Sequence, residues 1–437
     1  MPMTMSHDRP LTAEDLLASP RGRSLVLGLA LSGREDEFDD EGQALTASAR
    51  ALDEFRSAVF IAGYLADKAK GAAVAMYLGE GDSEPESGAV TAGDVAETLR
   101  FVTPSNPNQA ELEHAMAEVI GGAMYWQPPH GADHVAAEPE VREALRLFAE
   151  VLIGTGLLDA WSRPLDTENQ WALAWDDEEH RGGLPAMFTH PAGPIGQAES
   201  RPAISLADLF SSAEGDGGKL PWGLDEWLGH VLTTETEYRH DLAKDPNDEL
   251  SGEWWSTPPD GLWTSTSTWP DQTPIGVELV EDDFGLERAR VCRVRLRQEA
   301  RIAEIRWPED WAQLCRRFPL DVTAQRRYVW FETTGRKGRW VIPDWSRVAE
   351  DFDGVHVSLA GYLRTAGSVV EVGDHSLVEA SPSLPTIGNT DDCTASLMAG
   401  WHPDMTFWLN DVVDSVTEVV EWVYDNDADA WQRPPTQ

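Results

Sequence analysis

Near residue 250 the hydrophobic pattern of this 437-residue chain changes period, and that change bounds the fold more tightly than any other feature. Upstream, apolar residues recur at three- and four-residue steps, as in Leu52, Phe55, Val59, Ala62 and Ala66, the spacing of one helix face. Downstream, short β-branched and aromatic runs alternate with polar residues, the spacing of a half-buried strand. The architecture this implies is α+β: an all-α domain over 12–175, then an α+β domain over 220–425 with a mixed or antiparallel sheet. Residues 1–11 read as a disordered tail, 176–219 as an acidic, turn-rich connection and 426–437 as a frayed end.

In the first half, Thr12 caps one or two short helices that break near Pro20 and Gly22. Residues 34–41 and 79–87 read as loops, 44–78 as a helix, and Thr91 starts another. Asn106 with Pro107 supplies a cap and first-turn proline for a helix to Met124. Pro139 opens one to Ile153, closed by Gly154. Aromatic clusters at 125–129 and 161–165, with 170–175 just beyond, read as plugs for the ends of that core. A short helix at 205–210 and renewed helical periodicity over 224–242 precede the change of period.

In the second half, 275–280 and 290–297 read as an antiparallel hairpin joined through 282–285. Strands are predicted at 302–305, 339–342 and 354–358, and helical turns at 309–317, 344–350 and 359–366. The valine-rich stripe from Leu409 to Val423 predicts a closing helix over 407–423, with Asp404 as a candidate cap.

The densest chemistry lies in residues 252–267. Trp254 and Trp255 precede the Pro258-Pro259-Asp260-Gly261 turn, and a strand follows over 262–269. Alternation puts Trp263, Ser265, Ser267 and Trp269 on one face, with Thr266 on the other. Indoles beside small hydroxyls suit a planar ligand or a partner's side chains. His356, flanked by valines, is a candidate general base or a hydrogen-bonded core residue. Arg336 and Arg339, around turn glycines, offer an anion cradle.

The net charge of −42 repels polyanions and anionic membranes, so nucleic acid and membrane partners are disfavoured. Between Arg288 and Arg347, however, fifteen Lys and Arg face seven Asp and Glu. Those guanidinium groups either bind an anion or neutralise the acidic remainder. No apolar run reaches the roughly 18 residues that span a bilayer, and the first residues lack a signal-peptide pattern, so the cytoplasm is the default expectation. Cys292, Cys315 and Cys393 fit no zinc spacing and read as reduced. No P-loop, dinucleotide, zincin or nucleophile-elbow motif is present, and His130 with His134 is a weak metal pair on a loop. No metal is therefore expected.

Residues 340–349, 353–363 and 399–409, with 261–265, 19–23, 125–127 and 170–171, resemble segments of a family of uncharacterised actinobacterial proteins. Ser265-Thr266-Ser267 resembles the Ser-Thr-Ser element of mono-ADP-ribosyltransferases. That second resemblance implies NAD as cofactor, Ser265 orienting the nicotinamide ribose and a late acid, Asp404, stabilising an oxocarbenium-like state. It departs from the pattern in two places: the nearest upstream arginine, Arg239, lies in a helical pattern, and Asp404 is one methylene shorter than Glu.

Two functions stand on these residues. In the leading one the protein is a non-catalytic binding or assembly module whose tryptophan-rich seam holds a partner protein or peptide; 11 of the 19 tryptophans fall between Trp222 and Trp345. In the other it is a nucleotide-dependent transferase or hydrolase using Ser265 and Asp404. The second requires both groups to face one concave pocket.

Overall fold

A computed structural model describes residues 9–32, 46–71, 85–86, 88–123, 129, 131–175, 223–249, 253–259, 262–281, 286–297, 300–374, 391–417 and 419–434. The expectations for residues 1–8, 34–41, 79–84, 125–127, 176–219 (with the helix at 205–210) and 282–285 fall outside these, as do His130, Asp260 and Gly261.

The protein is α+β, helical in its N-terminal region and strand-rich in its C-terminal region. Helices α1 (Ala13–Ala18) and α2 (Pro20–Leu31) meet at Ser19, which caps α2 while Thr12 caps α1 in a reciprocal box with Asp15. Then come α3 (Ala47–Ala69), α4 (Ala92–Leu99), α5 (Gln109–Gly121), α6 (Ala132–Ala137) and α7 (Pro139–Gly154). Leu52, Phe55, Val59 and Ala62 are buried on α3, as their spacing requires. Two caps differ from expectation. Asn108, with Glu111 three residues on, caps α5 in place of Asn106. The left-handed residue after α7 is Gly156 (φ 73°), because the helix runs through Gly154.

Strand β1 (Gln170–Trp175) replaces the aromatic plug expected there, and α8 (Leu224–Lys244) follows. The remaining elements are β2 (Thr264–Thr266), α9 (Ile275–Glu278), β3 (Arg288–Leu296), β4 (Ile302–Ile305), α10 (Pro308–Arg317), β5 (Pro319–Asp321), α11 (Thr323–Thr334), β6 (Gly338–Pro343), α12 (Trp345–Asp351), β7 (Gly354–Val357), α13 (Leu359–Thr365), β8 (Val369–Asp374), β9 (Asp391–Leu397), β10 (Thr406–Trp408), β11 (Val413–Val416), β12 (Val420–Asp425) and β13 (Ala430–Gln432). The larger sheet runs β13-β12-β3-β1-β2-β10-β7-β4, with β11 also on β3; the smaller runs β5-β6-β9-β8. The pairs β4–β7 and β6–β9 are parallel and the others antiparallel, so both sheets are mixed.

Three predicted elements are overturned. Residues 275–278 form a helical turn, so the hairpin with 290–297 does not exist; β3 pairs instead with β1, β11 and β12. The closing helix over 407–423 is three strands: β10 inserts between β2 and β7, while the valine-rich β11 and β12, whose β-branched residues lose little in a sheet, pair along β3. The expected frayed end contains β13, paired with β12.

Strand β3 resolves the competition between its arginines and apolar residues by changing sides. Ala289 and Val291 are buried on one face, whereas Cys292, Val294 and Leu296 are buried on the other. Each arginine therefore reaches solvent from whichever face is uncovered at its level.

The helical and sheet regions share one hydrophobic core, from Leu16 on α1 to Phe407 on β10. At their junction an α-carbon bearing a methyl group at Gly22 would place it 1.9 Å from Leu16 O and 3.1 Å from Leu363 O, so only glycine permits this approach. Arg21 donates to Glu281 from Nη2 at 2.9 Å, and Tyr362 donates to the same oxygen; all three are buried. Burial opposes the Arg21 charge, but Glu281 beside it raises the guanidinium pKa and keeps it paired. Among the described residues no helix is long and apolar enough to cross a membrane.

Candidate functional site

Five strands bring the chemistry-bearing residues into one row. Ala172 on β1 is in register with Ser265 on β2, Ser265 with Thr406 on β10, Thr406 with His356 on β7, and His356 with Glu304 on β4. In-register residues on neighbouring strands point to the same face. Ser265, Thr406, His356 and Glu304 are thus a polar row across the sheet, with Ser265, Thr406 and His356 at 2% exposure or less.

Each end of the row is tied down. The Ser265 hydroxyl donates to Gln170 Oε1 at 2.6 Å and accepts from the Trp408 indole N–H at 2.8 Å. His356 Nδ1 lies 2.7 Å from Glu304 Oε2, and Glu304 Oε1 accepts the Leu165 amide at 2.9 Å. His356 Nε2 lies 3.6 Å from Asp404 Oδ1. Burial depresses the imidazole pKa, yet the two carboxylates outweigh it and push the value up to about 10. At neutral pH the ring is an imidazolium between two anions.

Asp404 is neither a helix cap nor exposed. It occupies the left-handed region (φ 57°), unusual for a non-glycine residue, at the turn before β10. Three donors hold its Oδ2: Thr266 Oγ1 at 3.0 Å, the Ser267 amide at 2.6 Å and Ser267 Oγ at 2.7 Å. Adjacent residues of one strand cannot both reach a single carboxylate; they do so here because β2 ends at Thr266, short of the predicted Trp269. The Thr-Ser pair is a clamp on the Asp404 turn.

Three of the sequence candidates, Ser265, His356 and Asp404, therefore converge from positions far apart in the chain. Their present partners are structural ones. Ser265 gives its proton to an amide oxygen rather than to a base, and a histidine held charged cannot accept one. Glu304, Thr406, Gln170 and Trp408 complete the row and were not singled out. Glu304 was signalled weakly as the polar position in an otherwise apolar strand, and the others by nothing local.

The tryptophans divide between core and rim. Trp263 stacks on Trp408, with centroids 5.1 Å apart and planes at 12°, directly above Gly354, where a Cβ would sit 3.0 Å from the Trp408 ring. Trp269 is buried and donates to Glu278 at 2.6 Å; burial pushes that carboxyl up to about 7. Trp254 and Trp255 are half-buried, and their carbonyls accept from Trp330 Nε1 (2.8 Å) and Arg326 Nη2 (3.1 Å) on α11. The predicted anion cradle is occupied from within: Arg336 donates to Cys393 O at 2.7 Å and Arg339 O at 3.1 Å, and its guanidinium lies over Trp340. Arg239 on α8 pairs with Glu235 and Asp321, both at 2.7 Å. His134 is on helix α6 rather than a loop, and no metal-holding group occurs among the described residues.

The face carrying the row is built differently from its opposite. Its small hydrophobic cluster, centred on Ala172, Cys292, Val294 and Trp408, contains no helical residue among the described ones. Half-buried Leu165, Trp263, Ile302, Val413 and Val416 rim it. The opposite face packs into the helix-containing core through Val355, Val357, Ile305 and Phe407.

No family model, no curated protein and no solved structure matches this chain.

Proposed function

We propose that the protein is a non-catalytic binding module, and that the face of its larger sheet that no described helix covers, with the half-buried Trp263 stacked on Trp408, docks a segment of a partner protein. The observation that carries this reading is the contrast between the two sheet faces: one is packed against helices, the other is left with a half-buried indole and aliphatic rim. Tryptophans that become fully desolvated on docking are among the residues that carry most of the energy of protein interfaces. The pairing of Ser265 and the fixed charge of His356 support it further, since neither group is poised for chemistry.

Charge selects the partner. The chain carries −42 overall, and exposed Asp414 borders the rim beside Asp411, which pairs with Arg297. A segment with apolar side chains for Trp263 and basic ones for its surround is the complement. The test is an immobilised array of 15-residue peptides graded in charge and aromatic content, probed with the full chain. Binding to basic, aromatic peptides should fall at least tenfold in Trp263→Ala and persist in Trp254→Ala. Binding indifferent to Trp263 refutes the docking face. Nicotinamide release from millimolar NAD that is lost in Asp404→Asn would replace this reading with the NAD-dependent transferase.

A further inference from the structure

Two neighbouring buried groups in the polar row have no hydrogen-bond partner among the described residues: His356 Nε2 and Thr406 Oγ1. Their strands place them side by side. The Val357 amide donates to Met405 O at 3.0 Å, so 357 and 405 are a hydrogen-bonded pair and 356 and 406 the adjoining non-hydrogen-bonded one. In such a pair the Cβ atoms are about 4.5–5.5 Å apart and side chains approach most closely. Asp404 Oδ1 lies 3.6 Å from Nε2, too far for a hydrogen bond and near enough to share a bridging atom. Its other oxygen already takes three donors.

We infer that His356 Nε2, Thr406 Oγ1 and Asp404 Oδ1 form a binding site for one neutral hydroxyl group. The atoms supply an N–H, an O–H and a carboxylate acceptor. A single alcohol oxygen complements them, accepting from His356 and Thr406 and donating its own proton to Asp404. An imidazolium has no lone pair for a metal ion, and an anion would face the Glu304 and Asp404 carboxylates against one imidazolium. The flanking side chains of Asp404 and Glu304 are 12% and 22% exposed and Ser267 is half-buried, so the site lies close to solvent at the strand end. Water is the smallest molecule with this chemistry, and a small alcohol or polyol is the other source. The site lies beneath the proposed docking face but does not depend on it.

High-resolution crystals of the full chain, grown without alcohols and then soaked in methanol or glycerol, test the inference. The expected result is one oxygen within about 3.2 Å of all three atoms, carrying extra density for carbon only in the soaked crystals if alcohols enter. Thr406→Val, nearly isosteric, should lose that oxygen or reduce its occupancy several-fold. If that variant fails to fold, Asp404→Asn in the same experiment should lose it. Direct closure of His356 Nε2 onto Asp404 with no intervening oxygen overturns the inference, as does a metal ion or an anion at this position. So does an oxygen that persists unchanged in the variants.

Discussion

Replacing His356 with glutamine should expose how much of the fold rests on a buried positive charge. Folding moves the imidazole from its ordinary 6.5 to about 10, because Glu304 at 2.7 Å and Asp404 at 3.6 Å favour the charged form despite burial. At about 1.36 kcal/mol per unit, the 3.5-unit rise corresponds to about 5 kcal/mol, a ceiling because the Glu304 side chain is 22% exposed and screened. The folded state holds the proton more tightly than the unfolded one. The stabilisation is therefore complete below about pH 6.5 and is lost as the pH rises through 10. His356→Gln forfeits it at every pH and leaves the buried Asp404 and the part-buried Glu304 without the cation between them. Urea unfolding followed by tryptophan fluorescence should show the variant destabilised by roughly 3–5 kcal/mol at pH 6, by about 2 kcal/mol less at pH 8, and by little at pH 10. A stability difference that does not change from pH 6 to pH 10 would refute the reasoning, as would a His356 ring titrating near its ordinary value by NMR.

Ser265→Ala leaves the Trp408 indole N–H and the Gln170 carbonyl unpaired in the core, and should cost roughly 1–3 kcal/mol in urea unfolding without altering peptide binding. Glu235 on α8 is buried and accepts the Ala324 and Gln325 amides at the start of α11, at 3.0 and 3.1 Å. Glu235→Ala should cost roughly 3 kcal/mol and speed hydrogen exchange along α8 and the first turn of α11. A Cβ at Gly361 would stand 2.1 Å from Ile305 O, so Gly361→Ala forces α13 away from β4 and should destabilise by roughly 3 kcal/mol or more. Gly229, inside α8 with nothing within 4 Å, is its counterpart: Gly229→Ala should stabilise by about 0.5–1 kcal/mol in the same assay.

Residue spacing alone determined most of the helices and the α+β class. Thr12, Ser19, Thr91 and Pro139 mark helix starts by local chemistry, and the buried stripe of α3 follows from a 3.6-residue period that needs no partner to be read. Short strands near Ile302, Val341 and Val355 were legible for the same reason, as apolar runs bounded by turns. Pairing was not. A strand's hydrogen bonds belong to its neighbours, so whether 407–423 becomes a helix or three strands is settled by β2 and β7, which take β10, and by the edge of β3 more than a hundred residues upstream, which takes β11 and β12. The site obeyed the same division. Ser265, His356 and Asp404 stood out as residue types, but their roles depended on register, which set Thr406 beside His356 and Glu304 across from it. Only that alignment turned a suspected base into a charged, clamped imidazolium. The flanking valines already pointed to burial of His356, but the two neighbouring carboxylates that hold its charge are a property of the assembled sheet.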